Sequence, residues 1–257
     1  MLLINPYRFA APRAPVSDSA AESYLQSVES ADGQQLEQAV ADAINSFVLG
    51  CKSDGIWNAI KASCILAGAR TLSGALVPLV GTAPTNFNFV TGDYNRETGL
   101  KGDGSTKYLN ANRNNNSDPT ARHIFCRVTN PATIDGRIYI GMGLSTGATT
   151  VMARTNRTDF RIQTNTLFIN GNPSNGGYGV ARSSDTATQV IIANNVTNRA
   201  DTRTSGPSNS GLGIFATTSP GNFNDCRLSF YSIGENLNLT SLNSRVSTLM
   251  TDLAAAI

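Results

Sequence analysis

The hydrophobic pattern of the chain changes near residue 72, and this change constrains the fold more than any other feature. Beyond it, apolar residues fall in short segments rich in β-branched and aromatic residues, separated by clusters of Gly, Asn, Pro and Ser. No long helical period interrupts them, so the pattern predicts an antiparallel sandwich or jelly roll over residues 71–237. The segments are RIYIGMGL (137–144), DFRIQTN (159–165), TLFING (166–171), TQVIIANNV (188–196), GLGIFATT (211–218) and RLSFYSIG (227–234).

The last of these segments alternates most clearly. Arg227, Ser229 and Tyr231 alternate with Leu228 and Phe230, which predicts a strand with one wet and one dry face. Only 15% of the 257 residues are charged. Asn, Thr, Ser and Gly take their place, and these residues favour turns and the solvent faces of strands.

Residues 17–70 have a different pattern, which predicts a small helical subdomain of three helices. The segments 17–33 and 34–50 each end at a glycine, and the second repeats apolar residues every three or four positions. A third helix is predicted over 53–69, where Ile56, Ile60 and Cys64 share one face.

A fourth helix is predicted over residues 238–257, with Asn238 or Thr240 as its N-cap. Its apolar stripe must pack on the sandwich or on the helical subdomain. The stripe consists of Leu242, Val246, Leu249, Met250 and Leu253.

Residues 1–16 are predicted to be extended, because Pro6, Pro12 and Pro15 fix φ and remove hydrogen-bond donors. Tyr7 and Phe9 are large apolar side chains that this segment cannot bury by itself. One interpretation is a tail that folds back on its own domain. The other is an assembly arm, carried by Pro6, Tyr7 and Phe9, that docks on a neighbouring subunit.

The sequence contains no combination of residues that is typical of a catalytic site. GLKGDGSTKYL (99–109) is rich in glycine but leads into a strand-like run, so it predicts turns and not a phosphate loop. The single histidine, His123, is predicted to begin a strand, with Cys126 on the opposite face. No serine elbow GxSxG is present. No two carboxylates of the sandwich lie at i and i+2 on one strand, so the chain is predicted not to be an enzyme.

The net charge and the cysteines indicate which binding partners and which cellular compartment to expect. The net charge of +2 favours neither nucleic acid nor an anionic membrane as a partner. Cys51, Cys64, Cys126 and Cys226 have no metal-ligand or redox spacing, so four reduced and mostly buried thiols are predicted, which suits a reducing cytoplasm. The first residues are not typical of a signal peptide. No cofactor is predicted, and calcium is left open because Asn and Asp loops supply oxygen ligands without EF-hand spacing.

Three stretches carry a resemblance to a known group of proteins. LLINPYRF (2–9), GDGSTKYL (102–109) followed by NRNNNSDP (112–119), and RLSFYSIGENLNLTSLNSRVSTLM (227–250) resemble uncharacterised virion proteins of tailed bacteriophages. The resemblance covers both ends and the middle of the chain, whereas residues 130–225 match only in style. It implies a concanavalin A-like (LamG-like) jelly roll, a place in the virion after synthesis in the bacterial cytoplasm, and contacts with other virion proteins through the N-terminal arm. It also implies a homo-oligomer, most simply a homotrimer.

Two functions of different classes follow from that resemblance. The first is a tail or fibre protein in host attachment, whose sandwich binds a host-surface glycan through the predicted loop NGNPSNGGYGVAR (170–182). In that loop Asn172, Asn175, Tyr178 and Arg182 are the candidate ligand-binding residues. The alternative for the loop is an ordinary solvated turn. The second function is a capsid decoration (cement) protein with no ligand, and a polysaccharide hydrolase is a third.

Overall fold

A computed structural model shows two antiparallel sheets in a sandwich, with helices on the outer face of one sheet. The predicted mainly β antiparallel sandwich, closed by a C-terminal helix, is confirmed. The residues described are 12–118, 121–145, 147–163, 166–183, 189–193, 195–199 (backbone only), 206–219 and 221–257.

The elements follow in chain order. The helices are α1 (Ser19–Asp32), α2 (Gln38–Ser53), α3 (Leu72–Ala75) and α4 (Leu239–Ala256). The strands are β1 (Ile60–Ile65), β2 (Thr85–Phe87), β3 (Tyr94–Asn95), β4 (Gly99–Lys101), β5 (Tyr108–Asn114), β6 (Arg122–Asn130), β7 (Arg137–Gly141), β8 (Thr149–Arg154), β9 (Arg157–Ile162), β10 (Leu167–Asn170), β11 (Gly176–Arg182), β12 (Gln189–Ala193), β13 (Asn195–Arg199), β14 (Gly211–Ile214) and β15 (Arg227–Gly234).

The two sheets differ in their surroundings. The eight-stranded sheet has the order β13-β12-β11-β6-β15-β4-β3, and β1 pairs with β15 beyond β4. The seven-stranded sheet has the order β10-β9-β8-β7-β14-β5-β2. The core that faces the helices takes its strand residues from the eight-stranded sheet. We therefore call the eight-stranded sheet the covered sheet and the seven-stranded sheet the open sheet.

Two apolar cores hold these layers together. The first lies between the sheets and includes Tyr139, Phe160 and Tyr231. The second lies between the covered sheet and the helices, where Phe47 of α2 meets Phe230 edge to face, with ring centroids 5.7 Å apart. Because one sheet serves both cores, most of its central strands are buried on both faces, and their apolar area supplies much of the driving force for folding.

The first two predicted helices form, but α2 continues through its predicted end at Gly50 to Ser53. Asp18 caps α1, because its side chain accepts hydrogen bonds from the amides of Ala20 and Ala21, and Gly33 ends α1 in the left-handed conformation. Helix α4 is capped by Asn238, and its stripe is buried at Leu242, Val246, Leu249 and Leu253. It packs on both α2 and the covered sheet. No helix in the described ranges is long and apolar enough to cross a membrane.

The predicted third helix is wrong. Residues 60–65 form β1, which pairs with β15, so the covered sheet begins inside the segment assigned to the helical subdomain. Ala62 and Cys64 face the core between the sheets, whereas Ile60 and Ile65 face the helices. The apolar residues of β1 are Ile60, Ala62, Cys64 and Ile65, and periodicity does not distinguish so short a run in a buried strand from part of a helix.

The predicted wet face of β15 is also wrong. Ser229 and Tyr231 are fully buried, because Tyr231 faces the core between the sheets and helices cover the opposite face of β15, where Phe230 packs. The register shifts between Leu228 and Phe230, and this irregularity turns Leu228 toward the sandwich core and Phe230 toward the helices. A bulge of this kind breaks simple alternation, so the two residues do not share a face.

Candidate ligand-binding cleft

The stretch 170–182 is not a single loop, which corrects the prediction. Strand β10 ends at Asn170 and β11 begins at Gly176, so only residues 171–175 connect strands. Asn172 and Asn175 lie in this connection and are exposed. Tyr178 and Arg182 belong to β11 and are only 2% and 1% exposed, so neither is a loop-tip contact.

The glycines of β11 explain the error, because they serve close packing and not a turn. A Cβ on Gly177 would meet Asn243 of α4 at 1.9 Å, and one on Gly179 would meet the carbonyl oxygen of Ile124 at 2.8 Å. The glycines therefore let a helix and a neighbouring strand approach the backbone. Read in sequence alone, the same glycines indicate turns.

The side chain of Tyr178 holds the 171–175 loop against the sandwich core. Its ring lies 5.4 Å from the ring of Tyr139 in the sandwich core. Its hydroxyl group donates to the carbonyl oxygen of Ser174 and accepts from the amide of the same residue, each at 2.8 Å. At the other end of the loop, the amide of Gly171 donates to the carbonyl oxygen of Asn156 at 2.8 Å. The connection is thus tied to both sheets.

A small cleft of about 190 Å³ opens under this loop, between the edges of the two sheets. Its floor consists of two cross-strand pairs: Thr158 with Ile169 in the open sheet, and Tyr178 with Ala193 in the covered sheet. The loop side of the cleft is polar, with Asn170, Gly171, Asn172 and Ser174. Asn175 is not among the lining residues.

The outer face of the open sheet adjoins this cleft. Arg157 is the cross-strand partner of Asn170, and its guanidinium carbon lies 5.0 Å from the ring centroid of Phe168, which is 45% exposed. Asp159 is 1% exposed and accepts from Arg157 Nε at 2.7 Å and from Arg154 Nε at 2.9 Å. The cleft and this charged row therefore share Asn170.

The environment of His123 indicates a structural role. Its ring is fully buried and contacts the end of β15 and the residue that follows this strand. Nδ1 lies 2.6 Å from the carbonyl oxygen of Glu235, and Nε2 lies 2.8 Å from the hydroxyl of Ser232. Burial lowers the pKa of His123 to about 4, so the ring is neutral at pH 7. As predicted, His123 begins β6, and Cys126 faces the core between the sheets.

The other candidate chemistry gives no site. Asp103 accepts hydrogen bonds from the amides of Ser105, Thr106 and Lys107, so the glycine-rich stretch forms a turn between β4 and β5 as predicted. The four cysteines are free and buried, as predicted. Across the described ranges there is no group of three His, Cys, Asp or Glu side chains placed to hold a metal ion.

Pro6, Tyr7 and Phe9 of the N-terminal arm lie outside the described residues. The arm's last residues contact its own domain: Arg13, whose side chain is 4% exposed, donates to Glu22 at 2.8 Å and to Glu29 at 2.5 Å on α1. The amide of Ala14 donates to the side chain of Gln38 at 2.7 Å. Residues 12–16 are therefore anchored on helices α1 and α2.

Comparison with known proteins gives structural similarity only. No family model and no curated protein sequence matches the chain. The botulinum neurotoxin serotype D binding domain is 8% identical over 76% of this chain and 51% of that one, with a TM-score of 0.49. A botulinum neurotoxin type C structure, described by cell entry through two ganglioside molecules, is 12% identical over 75% of this chain and 52% of that one, with a TM-score of 0.49.

Trypanosoma rangeli sialidase with 2,3-difluorosialic acid is 13% identical over 83% of this chain and 40% of that one, with a TM-score of 0.38. The chain thus spans about half the length of the neurotoxin structures and two fifths of the sialidase. At these identities and scores the similarity assigns no function to this chain.

Arg157 and Phe168 were not predicted from the sequence, and Asn170 was predicted only as the first residue of the 170–182 loop. The sequence did contain a signal for a charged face. Arg157, Asp159 and Arg161 lie at positions i, i+2 and i+4 of a strand-like segment, so their side chains share one face of the strand. Their proximity to Phe168 depends on the pairing of β9 with β10, which only the structure gives.

Proposed function

We propose that the chain is a structural protein of a bacteriophage virion, of the tail or fibre, and that its sandwich binds a host-surface glycan at the cleft under the 171–175 loop. The virion context rests on the sequence resemblance. The binding role rests on one observation: a cleft between the two sheets, lined on its loop side by Asn170, Asn172 and Ser174.

The chemistry of the cleft suits a sugar. The amide groups of Asn170 and Asn172 each donate and accept hydrogen bonds, which matches the alternating donors and acceptors of sugar hydroxyls. The loop that carries Asn172 is held by Tyr178 and by Asn156, and Asn170 belongs to β10, so little ordering of the loop is needed on binding. Exposed Phe168 lies on the same edge strand and offers an apolar ring face.

One observation favours the second candidate, a capsid decoration protein with no ligand. The volume of about 190 Å³ is below the roughly 300–1,000 Å³ of most small-molecule pockets. A single sugar residue or the end of a chain is therefore the expected occupant if the cleft binds. Locating the protein in an imaged virion separates the two functions, because attachment requires a position on the tail or fibre and decoration requires one on the capsid shell.

We further propose that binding is not accompanied by catalysis and that no cofactor is required. Incubation with purified host polysaccharide, followed by a reducing-sugar assay, tests this point. New reducing ends that depend on the protein would establish a hydrolase instead.

A further inference from the structure

We propose that the glycan recognised next to the cleft carries a carboxylate group, and that Arg157 binds this group with the two terminal nitrogens of its guanidinium. The inference rests on the proposed glycan binding and names the chemical class of the sugar. It is carried by the geometry of Arg157, Phe168 and Asp159 on the outer face of the open sheet.

The guanidinium of Arg157 is held in one orientation by two contacts. Its Nε donates to the buried carboxylate of Asp159 at 2.7 Å, and its carbon lies 5.0 Å from the centroid of the Phe168 ring. Stacking on an aromatic face and an Nε bond restrain the side chain, so less rotamer entropy is lost when a ligand binds.

The terminal nitrogens of Arg157 are available. They donate to no residue in the described part of the chain, and the side chain is 40% exposed. A planar guanidinium with both terminal nitrogens open matches a carboxylate in bidentate geometry. Asp159 does not cancel this charge, because Arg154 shares the same carboxylate at 2.9 Å.

The outer face of the open sheet around Arg157 carries a net positive charge. Within the described ranges, the arginines of this face, Arg154, Arg157 and Arg161, form ion pairs with Asp135 and Asp159 alone, so one positive charge remains. Arg161 is already engaged, since it donates to the carbonyl oxygens of Leu144 and Ser145.

The position of Arg157 links it to the cleft. Asn170 is its cross-strand partner, and Asn170 also lines the cleft. Side chains directly opposite each other on neighbouring strands lie roughly 5 Å apart at Cβ. A sugar whose hydroxyls contact Asn170 therefore has its substituents within reach of the guanidinium.

The test compares methyl glucuronide with methyl glucoside, which differ in the carboxylate, by NMR titration of the full chain. We expect the glucuronide to bind and Arg157→Gln to weaken that binding by about tenfold or more, as loss of a charge-assisted pair does. Arg157→Lys keeps the charge and the pairing with Asp159, and Phe168→Leu keeps both charges. Both should also weaken binding of the glucuronide, because Arg157→Lys removes the planar guanidinium and Phe168→Leu removes the ring that restrains it.

Arg161→Gln is the matched control, since it removes one charge from the same face of the same strand. Its effect should stay below roughly threefold, which is the scale of a screened surface charge. Equal binding of the two glycosides with no effect of Arg157→Gln would overturn the inference and leave the proposed function standing. Absence of binding by either glycoside, with no glycan bound through Asn172, would overturn both.

Discussion

The hydroxyl group of Tyr178 bonds twice to the backbone of Ser174, donating to its carbonyl oxygen and accepting from its amide. This relationship joins a buried core residue to the loop that borders the cleft. The ring of Tyr178 belongs to the sandwich core, whereas its hydroxyl belongs to the loop. Removal of the hydroxyl should therefore affect the loop, whereas removal of the ring should affect the stability of the core.

Tyr178→Phe should loosen the loop and leave the sandwich folded. Loss of the two hydrogen bonds should lower the free energy of unfolding by about 1–2 kcal/mol and accelerate hydrogen exchange at the amide of Ser174. Tyr178→Ala should cost about 3–5 kcal/mol, because it leaves a cavity in the core. Denaturant unfolding and amide exchange measure both effects. An unchanged melting temperature for Tyr178→Ala would mean that the ring is not core.

Stability should rise with pH between about 4 and 6.5 because of His123. Burial lowers its folded pKa to about 4, whereas an exposed histidine has a pKa near 6.5, so the unfolded state binds the proton first as the pH falls. The protonation of His123 does not affect stability above about pH 6.5, destabilises the fold progressively as the pH falls from 6.5 to 4, and has its full effect below pH 4. The full contribution is about 3 kcal/mol, since each pKa unit corresponds to about 1.4 kcal/mol.

His123→Asn provides the check on this pH dependence. The variant should be less stable at pH 7 but should lose the slope of unfolding free energy between pH 6.5 and 4. Acid unfolding below pH 4.5 should remain, because Arg13 lowers the pKa of Glu22 to about 2 and Arg96 lowers that of Glu37 to about 2. An unaltered slope between pH 6.5 and 4 would assign it to other groups.

Arg13→Ala should release residues 12–16 from α1. The guanidinium is buried between Glu22 and Glu29, and its removal leaves two neighbouring carboxylates without their cation, at a cost of about 1–3 kcal/mol. The pKa of Glu22 should return toward its ordinary value, so the acid sensitivity below pH 4.5 should decrease. Limited proteolysis near residue 14 is the readout, and full protection of the variant would contradict the anchoring role.

Deletion of residues 2–12 should leave the domain folded and abolish incorporation into particles, if the arm makes the assembly contact. The prediction draws on Tyr7 and Phe9 among prolines, and Arg13 remains to anchor the shortened end. Particle incorporation and thermal melting are measured together. Normal incorporation of the truncated chain would rule out an assembly role for the arm.

The chain is expected to form a trimer, and light scattering measures its oligomeric state. A monomer both in solution and in the particle would exclude the trimer.

The sequence predicted those elements that have one apolar and one polar face. Helices α1, α2 and α4 each bury a single stripe, so the helical period was sufficient to predict them, whereas capping signals located both ends of α1 and the start of α4 but not the end of α2. It failed for β1 and for the alternation of β15, because these strands lie between two cores and the second core depends on helices distant in sequence. Local patterns do not contain that information.

The candidate site was predicted in part. Asn172 was placed correctly in an exposed connection that borders a cleft, since an Asn-Gly-Asn-Pro run indicates a turn whatever the tertiary context. Tyr178 and Arg182 were misplaced because close-packing glycines resemble turn glycines. Arg157 and Phe168 were missed because their contact depends on strand pairing.

The most direct test of the proposed binding is the pair Asn172→Ala and Asn175→Ala, measured with the unaltered chain on an array of bacterial surface glycans. Both asparagines are exposed in the same short loop, but only Asn172 lines the cleft. The account predicts that at least one glycan binds the unaltered chain, that Asn172→Ala reduces this binding by about tenfold, and that Asn175→Ala leaves it within about twofold, with unchanged melting for both. Equal binding by all three proteins, or no glycan bound by any of them, would contradict it.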